Sequence, residues 1–203
     1  MDEAQQDFLK EVLNIGLGRA GKALGAMTGS KIDLTVPSLS ICALDELDEH
    51  LGVFGDDEVF TVALSFSGIL SGDVLLVMSS FSARVLTFRL CGDEMDAAKL
   101  GSEVEEVVTE VGNIIANHFV GSWSNLFADQ FKFGVPAFEV NTLAEVMNRY
   151  KKRPHVSKNE PRAIFAQAQM DVPDFTIAVS LITLFQQDSL ERLIGSTAER
   201  TSI

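Results

Sequence analysis

Along the first thirty residues the apolar positions Phe8, Leu9, Val12, Leu13, Ile15, Ala20, Ala23, Leu24 and Met27 keep a roughly helical period. That spacing predicts a long amphipathic helix over residues 6–28. Lys31 to Leu44 then reads as a strand interrupted at Pro37. Proline withholds a ladder donor, so an edge strand or a bulge is expected there. Asp45 to Leu51 has the pattern of a short helix or turn. Val59 to Ser67 and Gly72 to Ser79 are β-rich runs on either side of Gly-Ile-Leu-Ser-Gly, a hairpin signal. Ser80 opens a helix through Leu90, closed by Gly92.

The same plan follows in the second half. Ser102-Glu103-Val104-Glu105 resembles a capping box and predicts a helix from there to about Gln130. Phe131 to Thr142 is a second strand interrupted by a proline, Pro136. Leu143 to Tyr150 is a second short helix, and Lys151 to Pro161 a charged loop. Ala163 to Met170 and Phe175 to Phe185 form a second hairpin around Asp171-Val172-Pro173-Asp174. Ser189 to Ile194 starts the last helix, with a mobile tail expected after Gly195.

The correspondence extends to individual residues. Glu11, Asn14 and Pro37 recur as Glu110, Asn113 and Pro136, at a constant offset of 99 (110 − 11, 113 − 14, 136 − 37). Each Asn is followed by Ile, as Ile15 and Ile114. A gap-free offset over four residue types is evidence for duplication. Each half reads helix–strand–hairpin–helix, and one hairpin cannot bury both of its faces alone. The expected fold is therefore α+β: two repeats, about 1–98 and 99–203, joined in a single domain through one shared, mostly antiparallel sheet with helices packed on it.

Composition narrows the function classes. At 46% hydrophobic residues the chain can build a sizeable core. Its formal net charge is −13, with no basic face to displace counterions from phosphates. Nucleic-acid and anionic-membrane partners are therefore disfavoured, and a protein with local positive charge suits the chain better. No apolar run reaches the ~18 residues of a membrane helix. Met1 to Asp7 lacks the regions of a secretory signal, so a soluble cytoplasmic protein is expected. Cys42 and Cys91 then read as two reduced core thiols.

Three familiar chemistries find no support. Gly16-Leu17-Gly18-Arg19-Ala20-Gly21 matches G-x-G-x-x-G, but a helical pattern runs through it where a strand-to-helix turn is required. His50, His118 and His155 show no metal-ligand pairing, and no G-x-S-x-G is present.

Asp7, Glu11 and Asn14 are spaced i, i+4, i+7 and share one helix face. Gly18, Gly21 and Gly25 continue that face without bulk, so another backbone or a partner can come close. Asn14 next to Gly16 has the look of an ordinary helix end. Asn113 has no such Gly, and the apolar period continues past it to Phe119. Asparagine is a mediocre mid-helix residue. Holding it there twice, one turn after a Glu, points away from a merely solvated face.

These residues resemble the signature of the CheC/CheX/FliY family of chemotaxis phosphatases: Asp or Ser, three residues, Glu, two residues, Asn, 22 residues, Pro. Asp7, Glu11, Asn14 and Pro37 fit throughout. Glu110, Asn113 and Pro136 fit in the second copy, where Glu106 stands in the leading position. The two sites in one chain are most similar to the CheC arrangement, with a pseudo-two-fold axis.

The resemblance implies hydrolysis of the aspartyl phosphate of a CheY-type response regulator. Asn14 and Asn113 would orient the water, and Glu11 and Glu110 would fix docking by pairing with a receiver lysine. It implies no cofactor of the chain's own, since Mg²⁺ would sit on the receiver. It also leaves open a non-catalytic adaptor that binds CheD or a response regulator, and a motor-switch component. The surroundings of the two copies differ. Lys10, Arg19 and Lys22 lie near the first, and Glu103, Glu105, Glu106 and Glu110 ring the second. Different on-rates for one partner are expected.

Overall fold

The computed structural model describes residues 2–44, 46–47, 54–91, 100–153, 162–186 and 188–201. Helix α1 (Glu3–Thr28) begins three residues before the expected start at residue 6, because Asp2 caps it. The Asp2 carboxylate accepts from the Gln5 N–H at 2.8 Å, and the Gln5 side-chain oxygen accepts from the Asp2 N–H at 3.1 Å. Gly29, at φ 67°, closes the helix in the left-handed region. Leu9, Leu13, Leu17, Ala20 and Leu24 are fully buried on one stripe. Burying each of those leucines is worth roughly 1.5–3 kcal/mol, which fixes the rotation of α1. The opposite face, with Asp7 and Glu11, is thereby turned to solvent.

The remaining elements are β1 (Asp33–Ala43), β2 (Glu58–Ser67), β3 (Gly72–Ser79), α2 (Ser80–Cys91), α3 (Leu100–Gly121), α4 (Ser124–Phe127), β4 (Lys132–Phe133), β5 (Ala137–Thr142), α5 (Leu143–Lys151), β6 (Arg162–Val172), β7 (Phe175–Phe185) and α6 (Ser189–Thr201). All seven strands join one antiparallel sheet in the order β1-β6-β7-β3-β2-β4, with β5 also on β2. The hairpins β2–β3 and β6–β7 meet at the centre through β3 and β7. Each proline-interrupted strand crosses over: β1 pairs with β6 of the second half, and β5 with β2 of the first.

Side-chain alternation separates two cores. Val62, Leu64 and Phe66 of β2 face α1 and α3, whereas Val59 and Ala63 face α5. Helices α1 and α3 lie close enough that a Cβ on Gly16 would meet the His118 carbonyl oxygen at 2.5 Å and the Ser122 Cβ at 2.7 Å. A Cβ on Gly112 would meet Val62 at 2.7 Å. These two glycines set how near α3 comes to its neighbours.

Several boundaries differ from the sequence reading. Ser102 is not a cap, because α3 already begins at Leu100. The helix stops at Gly121, well before Gln130, where Trp123 turns into an aromatic cluster. The Trp123 ring centroid lies 5.9 Å from Phe66, 5.6 Å from Phe119 and 5.5 Å from Phe185. The expected strand over Phe131 to Thr142 is split into β4 and β5 around Gly134-Val135-Pro136. Helix α6 continues through Gly195 to Thr201, since Leu190, Leu193 and Thr197 bury one face. Arg200 also donates to the Leu126 carbonyl at 2.9 Å. Cys42 is buried as expected, but Cys91 is exposed at the end of α2. The short helix expected over Asp45 to Leu51 falls largely outside the described residues. Gly92, His50, His155 and most of the loop Lys151 to Pro161 also lie outside them.

Candidate functional site

The first repeated cluster sits on the solvent face of α1. Asp7 and Glu11 are exposed, Asn14 is half-buried, and Ile15 beside it is 48% exposed. Pro37 lies in β1, where the register against β6 shifts between Thr35 and Ser38. Such a bulge takes main-chain groups out of the ladder. The Val36 N–H donates to Asn14 Oδ1 at 2.8 Å. The repeated Asn is thus joined in space, through one hydrogen bond, to the residue just before the repeated Pro, which lies 23 positions on in sequence. Gly21 and Gly25 admit the chain's own approach to β1, since a Cβ on them would meet the Ile32 and Ser30 carbonyl oxygens at 2.7 and 2.8 Å. A Cβ on Gly18 would meet nothing within 4 Å, so only that glycine leaves the face open.

The second cluster sits on α3. Glu106 and Glu110 are exposed and Asn113 is half-buried, as in the first copy. Its surroundings are built differently. Pro136 follows Val135, which is 88% exposed, whereas the corresponding Val36 is 1% exposed. Asn113 Oδ1 accepts from Asn117 Nδ2 at 2.8 Å, and the same Nδ2 donates to the Asn113 main-chain carbonyl at 2.7 Å. Glu106 and Glu110 also line a groove of about 530 Å³ with Met27, Cys91 and Glu103. Burial raises the Cys91 thiol pKa first, followed by the carboxylates of Glu103 and Glu106. Cys91 is therefore a poor thiolate. Among the described residues no group of three or more His, Cys, Asp or Glu side chains is arranged to hold a metal ion.

In both carboxamides the oxygen is the atom held. Main-chain groups fix it: the Val36 N–H can only donate, so Asn14 must present oxygen to it. The Asn113 carbonyl can only accept, so Asn117 must present its amino group, and Asn113 its oxygen. In each the oxygen is the engaged atom, and among the described residues no hydrogen bond engages either Nδ2. Neither is a buried atom without a partner, so both amino groups reach solvent. Val36 and Asn117 were not singled out by the sequence pattern. The residue before the repeated Pro, and the mismatch of Asn117 with Gly18 (117 − 18 = 99), were the available signals.

No protein-family model matches the chain. Its fold is that of FliY from Thermotoga maritima, with a TM-score of 0.74 over 98% of each chain at 18% identity. This places it among α+β proteins with a shared antiparallel sheet and helices packed on both faces. The CheY-P phosphatase CheC of Bacillus subtilis (strain 168) is 30% identical over 149 residues, 72% of this chain and 71% of that protein. The flagellar motor switch phosphatase FliY of the same organism is 23% identical over 147 residues, 71% of this chain but 38% of that longer protein. The chain belongs to the CheC/CheX/FliY family.

Proposed function

We propose that this protein hydrolyses the aspartyl phosphate of a CheY-type response regulator, with Asn14 and Asn113 as the water-orienting groups. The observation that supports the reading is that both half-buried carboxamides are anchored through oxygen, with no hydrogen bond on either amino group among the described residues and both amino groups reaching solvent. A water that accepts a hydrogen bond from Nδ2 keeps a second lone pair for phosphorus. In-line attack forms the new P–O bond while the bond to the aspartyl carboxylate oxygen breaks, giving carboxylate and inorganic phosphate. An acyl phosphate is already activated, so positioning and electrostatics suffice. An amide is too weak a base to take the proton outright, and its role is orientation.

Glu11 and Glu110 stand one turn before each Asn, exposed and able to pair with a receiver lysine. Exposed Ile15 adds an apolar contact beside the first Asn. Mg²⁺ belongs to the receiver in this reading. No helix of the described residues is long and apolar enough to cross a membrane, which is compatible with a cytoplasmic encounter.

The test uses a ³²P-labelled CheY-type receiver in magnesium with substoichiometric protein. Wild type should accelerate loss of label. N14A/N113A should lose that acceleration by about 10²–10³-fold, the usual cost of removing an oriented hydrogen-bond donor. E11A/E110A should mainly raise KM. Absence of turnover with several receivers, combined with stoichiometric binding, would move the protein to the adaptor class.

A further inference from the structure

We propose that Asn117 is a positioning residue of the second site: its side-chain amide replaces the main-chain donor that holds Asn14 in the first. The inference rests on the phosphatase reading above and concerns how the second carboxamide is aimed. In the first site the bulge before Pro37 buries Val36 and turns its N–H onto Asn14 Oδ1 at 2.8 Å. In the second the corresponding segment is broken between β4 and β5. Gly134 N–H donates to the Ser65 carbonyl at 2.9 Å, and Val135 is 88% exposed. The carboxamide there takes its donor from its own helix, one turn on, where Asn117 Nδ2 lies 2.8 Å from Asn113 Oδ1.

Two features tie Asn117 to this task. Its amino group bridges the main-chain and side-chain oxygens of the same residue, at 2.7 and 2.8 Å, so its own rotamer is pinned. The position 99 residues earlier is Gly18, which carries no side chain and faces open space. Side-chain donor and main-chain donor thus alternate between the copies while the held oxygen is common to both. The two sites can then be disabled separately by changes that leave both catalytic asparagines in place.

The experiment isolates the second site with Asn14→Ala and adds Asn117→Asp, which keeps the shape of the side chain but removes its donors. Turnover of the labelled receiver should fall about 10–100-fold in kcat, as expected for a misaimed group. KM should stay within about twofold, because the docking surface is untouched. In an Asn113→Ala chain the same substitution should add no further loss, since the group it positions is gone. Side-chain amide signals of ¹⁵N-labelled protein supply a readout independent of turnover: Asn117→Asp should move those of Asn113 and leave those of Asn14.

Equal losses in both backgrounds, a change confined to KM, or an Asn14→Ala chain without turnover would each overturn the inference. A wild type without activity defeats the phosphatase reading itself. In that case an unmoved Asn113 amide signal also overturns the claim that Asn117 holds it.

Discussion

Gly16→Ala and Gly18→Ala make the same chemical change two residues apart on α1, and the structure gives them opposite signs. Both lie inside a regular helix, so each gains about 1 kcal/mol from alanine's better helix propensity. At Gly18 the new methyl meets nothing within 4 Å, and the gain is kept. At Gly16 it would sit 2.5 Å from the His118 carbonyl oxygen and 2.7 Å from Ser122 Cβ. One of these neighbours is main chain, so a rotamer change cannot relieve the clash. Helices α1 and α3 must separate by close to an ångström, at the upper end of the ~1–3 kcal/mol that overpacking costs.

The net expectation is destabilisation by about 1–2 kcal/mol for Gly16→Ala and stabilisation by about 0.5–1 kcal/mol for Gly18→Ala. At about 2–4 °C per kcal/mol for a chain of this size, Tm should fall by about 2–8 °C in one and rise by about 1–4 °C in the other. Urea unfolding followed by circular dichroism measures the same difference through the midpoint. Shifts of equal sign and size would refute the packing argument. A gain at Gly16 would mean that α1 and α3 are not in contact there.

Arg153→Ala should cost about 1–3 kcal/mol in urea unfolding, less than the ~3–5 kcal/mol of a fully buried broken pair, because the Arg153 side chain is one-third exposed and Asp73 keeps the bond from Ser65 Oγ at 2.6 Å. Its Nη1 lies 2.7 Å from Oδ1 of Asp73, whose side chain is 1% exposed, and R153M/D73N should recover most of the loss. His118 gives a pH signature. Burial first, then Arg19, lowers its pKa below the ordinary 6.5. Below that value the unfolded chain binds the proton more readily, so the neutral-imidazole contribution to stability is lost as pH falls through the window beneath 6.5. Tm measured from about pH 8 to about pH 5 should decline less steeply for His118→Gln than for wild type. Parallel curves would remove His118 as a source.

What could be read from the sequence depended on whether the signal was local. The period of Leu9, Leu13, Leu17 and Leu24 identified α1 because burial acts at fixed helical spacing. Both hairpins were visible because alternation and turn chemistry lie within a dozen residues. Pro37 marked an edge strand with a bulge, as found in β1. The misses were set by distant partners. Nothing near Gly195 says that Arg200 reaches the Leu126 carbonyl and holds the last helix down. Nothing near Ser122 says that Phe66 and Phe185, from two other strands, draw Trp123 out of the helical path. Cys91 has apolar sequence neighbours, yet it lies on an exposed groove. Glu11, Asn14, Glu110 and Asn113 were singled out by the offset, by their shared helix face and by the resemblance, and the structure places them on α1 and α3. How each Asn is held was not legible, because the offset reports what is shared and the holding groups differ.

That difference has a topological origin. Strand β1 is fixed along its length by β6, so a bulge at Val36 and Pro37 is trapped between paired residues on both sides. A trapped bulge must send its freed N–H somewhere, and Asn14 lies above it. On the other edge, β4 contributes only Lys132 and Phe133 to the ladder before the chain leaves it, and pairing with β2 resumes at Ala137. The segment between turns Val135 outward, and among the described residues no main-chain N–H donates to Asn113 Oδ1. A donor from the helix itself can come from i+3 or i+4; i+3 is Ala116, without a donor side chain, and i+4 is Asn117. The length of pairing beside each proline thus decides whether the carboxamide is held by the sheet or by its own helix.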